Sequence, residues 1–515
     1  MLILKHLPIS SFNENIAYVH KNCIYFDAKD IKTLAKVEIY GSSRRVFAFL
    51  QVTEDERIVR PSELALNNEA FNNINLPVGA KVTVSQVLSL PSTVSIKRKM
   101  LGNILSYGEY ELIFHDIISR RYSNMEIAAF LVASGSFMSP PEVLSMTEAM
   151  VGEKRISWGK DIVVDSHSIG GVPGNKVDLI VMAITAAYGL PMAKTSSRSL
   201  TSATGVADVM SVLCNVDLDE TTFKKLVRDN NVAVANFESL GIAEASNIMG
   251  AVERNIGVTQ FEHIAAAILS LKIEAGITHL VFDIPVGLYS RVRNAGEALH
   301  LKKLIEYVGD MMSIDVDVVI TDGSEPIGAG VGAVLEARDV MKVLLNKDDA
   351  PDDLREKALF IAGRVLEFDP KLRGGQGRRV AEEILNSGRA LEMMNKIIHS
   401  QGKSSQPQLG HLTKDIISTI SGTVKNIDNE RINAIAVLAG ANKYKGAGLD
   451  LFKKIGDYVE EGDVLYKVHS INSTDFAFVN SAVEDYDGYA VVSDDFDGDY
   501  EEDEDTDNDF EEEDE

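Results

Sequence analysis

A histidine, two serine hydroxyls, three glycines and a lysine fall within eleven positions, Ser166-His167-Ser168-Ile169-Gly170-Gly171-Val172-Pro173-Gly174-Asn175-Lys176. The apolar run DIVVD at 161–165 precedes them and DLIVMAITAAYGL at 178–190 follows, an order that reads as strand, glycine loop and buried helix. Such a junction gathers backbone N–H groups and the positive end of a helix around a small space, which suits an anion. Ser168 adds a hydroxyl and Lys176 a charge. The pattern is neither GxxxxGK[ST] nor GxGxxG, so it points to neither ATP nor a dinucleotide. From these residues alone a glycine turn packed under a sheet reads as well.

A second polar run, Lys194-Thr195-Ser196-Ser197-Arg198-Ser199-Leu200-Thr201-Ser202, follows the buried helix and GLPMA, where the next strand-to-helix junction falls. Hydroxyls with an arginine suit phosphate or ribose oxygens, although a solvated loop has the same composition. Two such loops at successive strand ends open onto one crevice outside the carboxyl edge of a sheet. An anion and sugar site is therefore the expectation.

The elements that must position these loops give an α/β multi-domain chain. Residues 1–90 alternate β-branched and aromatic residues (AYVHKNCIYF, KVEIYG, RRVFAFLQV) and read as a β-rich N-terminal domain. Helical periodicity takes over at 98–160, a helical domain completed by about 236–275. Residues 161–235 and 276–402 read as a large α/β domain with a mixed sheet, with THLVFDIPVG and DVDVVITDG as further buried strands. A small α+β domain is expected over 408–480, and a disordered acidic tail over 494–515.

The formal charge of −26 over 515 residues comes largely from that tail, which holds 16 acids and no base. A basic nucleic-acid footprint is absent, so duplex binding is not expected. Cys23 and Cys214 form no disulfide framework or metal spacing, and the ten histidines include no HExxH, so no metal is expected. No apolar run reaches a membrane span and the start has no secretory core, which reads as a cytoplasmic protein. The residues do not say whether the tail is merely solvated or docks on a basic partner.

DSHSIGGVPGNK together with KTSSRSLTSATGVADVM resembles the phosphate loops of the thymidine phosphorylase and AMP phosphorylase family. The resemblance extends to YSNMEIAAFLVAS, GAGVGAVLEARDVM, AEEILNSGRALEMMNKIIHSQG and KGAGLDLFKKIGDYVEEGD, and covers roughly 98–470. Residues 1–88 resemble the extra N-terminal domain of the longer, AMP-phosphorylase-like branch. The resemblance implies a pentosyltransferase that splits a pyrimidine nucleoside with inorganic phosphate, by default thymidine to thymine and 2-deoxyribose 1-phosphate. It implies no cofactor, a homodimer formed through the helical domain, and a cleft that closes between helical and α/β domains. A nucleoside 5′-monophosphate phosphorylase is the alternative; a weakened, nucleotide-binding paralogue is another.

Carried over residue by residue, the resemblance makes His167 catalytic and near the base, and Ser168, Gly171, Ser196 and Ser197 phosphate ligands. Arg198, Ser199, Thr201, Ser202, Arg254 and Arg291 fall to the nucleoside or sugar, Arg254 to the base and Arg291 where the AMP branch has its nucleotide-binding lysine. Lys176, Lys194, Arg198 and Arg254 are expected to make the site electropositive. Departures are numerous: Ser166 for a lysine, Val206 for a phosphate-binding threonine, Asp178 for a small polar residue and so a like charge to the ligand if it faces the site, Ala267 and Leu271 for a base-holding Ser and Lys with Lys272 remaining, and Thr259 for the acid of the AMP branch. Glu244 and Glu262 are the replacement acids considered.

Overall fold

Five strands carry the loops: β1 (Val164–Ser168), β2 (Met192–Ser196), β3 (Val232–Asn236), β4 (His279–Val286) and β5 (Asp315–Asp322). In the computed structural model, which describes residues 1–25, 36–87, 90–135, 138–152, 154–198, 203–257 and 260–493, they form one sheet in the order β5-β4-β1-β2-β3. Every pairing is parallel, which corrects the expectation of a mixed sheet. The physical reason is that a helix lies between each strand and the next, and such a crossover returns the chain to the same edge.

Both faces of the sheet are covered, as the nearly continuous apolar strands require. One face meets α1 (Val177–Tyr188), buried from Val177 to Ala186, α2 (Val206–Leu213) and α5 (Ala333–Leu344). The other meets a helical layer: Pro91–Met100, Tyr107–Ile118, Asn124–Gly135, Pro140–Val151, then α3 (Glu244–Ile256) and α4 (Phe261–Glu274). The first of these helices starts at Pro91, ahead of the boundary expected at 98, because proline suits the first helical position.

The strands Leu2–His6, Ile16–His20, Lys36–Gly41, Arg44–Thr53, Glu63–Leu66 and Lys81–Gln86 close into a barrel around Leu4, Val19, Val37, Ile39 and Leu64. Closure leaves no open edge for another chain to pair with. Lys36 Nζ reaches Glu126 of the helical layer at 2.7 Å, and the Asn124 amide donates to Glu14 at 2.6 Å, which fixes barrel to helices. At the other end, Gly330–Val331 pairs with Gly448–Leu451 and ties the C-terminal sheet to the α/β body. That C-terminal unit continues past 480 through helix Ser473–Asp485 to strand Tyr489–Val492. The tail at 494–515 lies outside the described residues. Among the described residues no helix is long and apolar enough to cross a membrane.

Candidate active site

The strand order places the site. Chain order runs from β1 outward to β3 and then returns to β4 on the other side of β1, so the sheet reverses beside β1. Crevices for ligands open outside the carboxyl ends of strands at such a reversal. His167 and Ser168 end β1, and the chain leaving β4 reaches Arg291. There a cavity of about 430 Å³ opens between the strand ends and the α3–α4 face of the helical layer.

Beneath it β1 and β2 share one ladder pair, Val164 with Met192, and then part. Backbone carbonyls released by the parting need donors, and two lysines supply them. Lys194 on β2 donates to the Ser166 carbonyl and, at 2.6 Å, to Asp178, and lies 3.3 Å from Asp165. Lys272, at the end of α4, donates to Asp165 at 2.6 Å and to the Thr195 carbonyl at 3.0 Å. Lys194, Lys272 and Asp165 are each at most 1 % exposed. Charges so buried persist only when paired in this way. Burial works against the Lys194 charge, but Asp165 and Asp178 outweigh it and hold its pKa above the ordinary value. For Lys272 burial prevails and the pKa falls.

His167 stands on this cluster, its ring 6.1 Å from Phe282 of β4. Burial, then the charges of Lys272, Lys194 and Arg291, push its pKa well below the ordinary histidine value. The imidazole is therefore neutral at working pH, with one N–H to donate and one nitrogen to accept. Beyond it the glycine loop turns through φ of 88° at Gly170 and 90° at Gly171. A Cβ at Gly171 would stand 2.7 Å from the Arg291 amide nitrogen, so glycine there lets the loops after β1 and β4 touch. Glu336 of α5 secures the loops from below: it is 3.1 Å from Lys176 Nζ and accepts from the Thr204 hydroxyl at 2.8 Å.

The opposite wall comes from α3 and α4. Arg254 and Glu253 border the cavity there, among the apolar Ile264, Ala267, Ile268 and Leu271. His263, 3 % exposed, sits between Glu253, 3.2 Å from Nδ1, and the Ser134 hydroxyl, 2.8 Å from Nε2. Burial lowers the Arg291 pKa from its ordinary value, and the Glu253 charge opposes that shift.

Of the residues expected at the site, His167, Ser168, Ser196, Ser197, Arg254 and Arg291 border the cavity. Gly171 is placed against Arg291 instead of in the cavity lining. Arg198 turns to Asp208 at 3.2 Å and Asp217 at 2.7 Å, away from the lining. Ser199, Thr201, Ser202 and Thr259 lie outside the described residues. Asp178 does not confront the ligand as a free like charge, because Ser166 donates to it at 2.5 Å and Lys194 neutralises it. The expected electropositive ring needs the same correction: Lys176, Lys194 and Arg198 all have carboxylate partners, and the arginines bordering the cavity are Arg254 and Arg291. Glu244 is exposed and Glu262 lies 3.5 Å from His300; neither borders the cavity. Sequence reasoning missed Glu253 and Glu336; only the neighbour of Glu253, Arg254, carried a signal.

Three family descriptions match this chain: "Glycosyl transferase family, helical bundle domain" over 94–152, "Glycosyl transferase family, a/b domain" over 160–269, and "Pyrimidine nucleoside phosphorylase C-terminal domain" over 423–487. A protein of Methylococcus capsulatus named "Putative thymidine phosphorylase" is 43% identical over 493 residues, 95% of this chain and 96% of its own. One of the same name from Albidiferax ferrireducens is 43% identical over 496 residues, 95% of each. The chain belongs to the thymidine and pyrimidine-nucleoside phosphorylase family. It is an enzyme of the thymidine phosphorylase-like pentosyltransferase type, and it shares nearly its whole length, barrel included, with these family members. Among solved structures, anthranilate phosphoribosyltransferase from Thermus thermophilus aligns with a TM-score of 0.49 at 18% identity, over 60% of this chain and 99% of that one, a likeness too slight to bear on activity.

Two outcomes follow from the buried cluster. Lys272→Met leaves Asp165 short of its main partner and is expected to lower unfolding stability by about 3–5 kcal/mol in denaturant titration, with part recovered in Lys272→Met/Asp165→Asn. In a histidine NMR titration His167 is expected to stay neutral from pH 8 down through the ordinary histidine range, because its folded pKa is depressed; protonation at or above about 6.5 would contradict this.

Proposed function

We propose that this pentosyltransferase catalyses phosphorolysis of a pyrimidine nucleoside, with thymidine as the reference substrate. An oxygen of inorganic phosphate forms the bond to C1′ while the C1′–N bond breaks and its electron pair leaves on the base, which takes up a proton. The observation that carries this reading is a single cavity with the hydroxyl and glycine loops on one wall and Arg254 on the other. Ser168, Ser196, Ser197 and the loop amides hold the phosphate, and the start of α2 adds the positive end of its dipole. Neutral His167 donates to the base as negative charge builds on it, and Arg254 steadies a base carbonyl. Buried Asn175 Oδ1 and Ser246 Oγ, which border the cavity and have no hydrogen-bond partner among the described residues, fit a polar ligand such as a sugar.

A 5′-monophosphate substrate is the second reading, favoured by the guanidinium of Arg291 at the cavity beside the glycine loop. A homodimer through the helical domain belongs to the same proposal and is supported by exposed Leu101, Ile104 and Met125 on that domain.

Thymidine, uridine and the pyrimidine and purine 5′-monophosphates, each with phosphate, are expected to give phosphate-dependent release of free base from the nucleosides, read by chromatography. His167→Ala is expected to lower kcat/KM by roughly 10²–10³-fold. Absence of phosphate-dependent base release from every compound rules the reading out. If nucleotides are the better substrates and Arg291→Ala weakens them alone, the second reading replaces the first.

A further inference from the structure

Beyond the phosphate end, the cavity wall formed by α3 and α4 has to read the base, and from Ile264 to Leu271 its lining is apolar. Ala267, Ile268 and Leu271 present methyl and methylene surface, and these include the two positions from which the resemblance led one to expect a base-holding serine and lysine. Glu253 is the carboxylate that α3 brings to this wall. It is held in a way a solvated helix carboxylate has no need of. His263 Nδ1 is 3.2 Å from Glu253 Oε1, His263 Nε2 is 2.8 Å from the Ser134 hydroxyl, and Ser134 lies 2.7 Å from the Phe130 carbonyl of its own helix. The imidazole is buried and so cannot swing with solvent. An ionised carboxylate only accepts, so His263 gives it the Nδ1–H, and the Ser134 hydroxyl then turns its hydrogen to Nε2 in place of the Phe130 carbonyl.

We propose that Glu253 is the base-specificity residue of this enzyme, accepting the ring N–H that lies between two carbonyls in uracil and thymine. Arg254, next in sequence and also at the cavity, donates to one of the flanking carbonyls. A carboxylate beside a guanidinium matches the alternation of donor and acceptor along an imide edge. His263 and Ser134 are positioning residues that fix the carboxylate in advance, so that little freedom is lost when the base arrives. A site that accepts a hydrogen bond from a substrate N–H rejects an analogue in which that hydrogen is replaced, because the acceptor, covered by the bound base, is left without its donor.

The inference rests on the nucleoside reading above, and the test separates the two. Binding of uridine and of N3-methyluridine, measured by calorimetry without phosphate so that no turnover occurs, compares a ligand that has the N–H with one that lacks it. Wild type is expected to bind uridine roughly tenfold to a hundredfold more tightly. Glu253→Ala is expected to bring the two within about threefold, mainly by weakening uridine, and His263→Ala to shift the ratio the same way. Glu253→Leu, which keeps most of the bulk and has no acceptor, serves the comparison if the alanine variant is poorly folded. Equal binding by wild type, binding of neither ligand, or discrimination kept intact in the Glu253 variants would each overturn the proposal. If discrimination by Glu253 stands but phosphate releases no base, the phosphorolysis reading falls and this one does not.

Discussion

The site depends on a place where two parallel strands are held apart. A parallel sheet normally satisfies every carbonyl along its ladders, yet β1 and β2 pair once and separate. Lys194 and Lys272 take up the released carbonyls of Ser166 and Thr195, and Asp165 and Asp178 balance their charge. The four groups behave as one polar wedge. Without it the strand ends would either close or leave buried carbonyls unpaired, and both outcomes remove the crevice. Because the wedge is assembled from β1, α1, β2 and α4, it also locks the helical layer to the sheet at the floor of the cavity.

The same wedge sets the chemistry above it. Burial first, then the charges of the two lysines beneath His167 and of Arg291 alongside, push the imidazole pKa well below the ordinary value. A neutral donor suits a reaction in which charge appears on the base only as the bond to C1′ breaks, since it adds little ground-state attraction for the uncharged nucleoside. Lys176, Lys194 and Arg198 are spent on carboxylates, so in the proposed reaction attraction for phosphate falls to loop amides, hydroxyls and the arginines that border the cavity. Of the acids behind the net charge of −26, 16 lie in the terminal 22 residues.

Local features were legible in the sequence. Strand, glycine loop and helix at 161–190 could be read because apolar runs and glycines act over a few residues, and the β-rich start and helical stretch could be read for the same reason. Partnerships between distant residues could not. Lys272 meets Asp165 across 107 positions, and nothing near either residue announces it. Asp178 looked like a repulsive charge because its neutralising lysine arrives from the next strand. Glu253 carried no signal of its own, because His263, which holds it, lies beyond the helix break. The parallel sheet was missed for a simpler reason: strand direction is set by where the crossovers go, which apolar patterning does not encode.

The central claim is that the wedge opens one crevice with a phosphate end and a base end. A crystal structure of the protein with inorganic phosphate and uracil tests it most directly. The account predicts phosphate against Ser168, Ser196 and the loop after β1, uracil against Glu253 and Arg254, and His167 between them with Lys194 and Lys272 still paired. Phosphate bound elsewhere, or a base seated away from the α3–α4 wall, would contradict it.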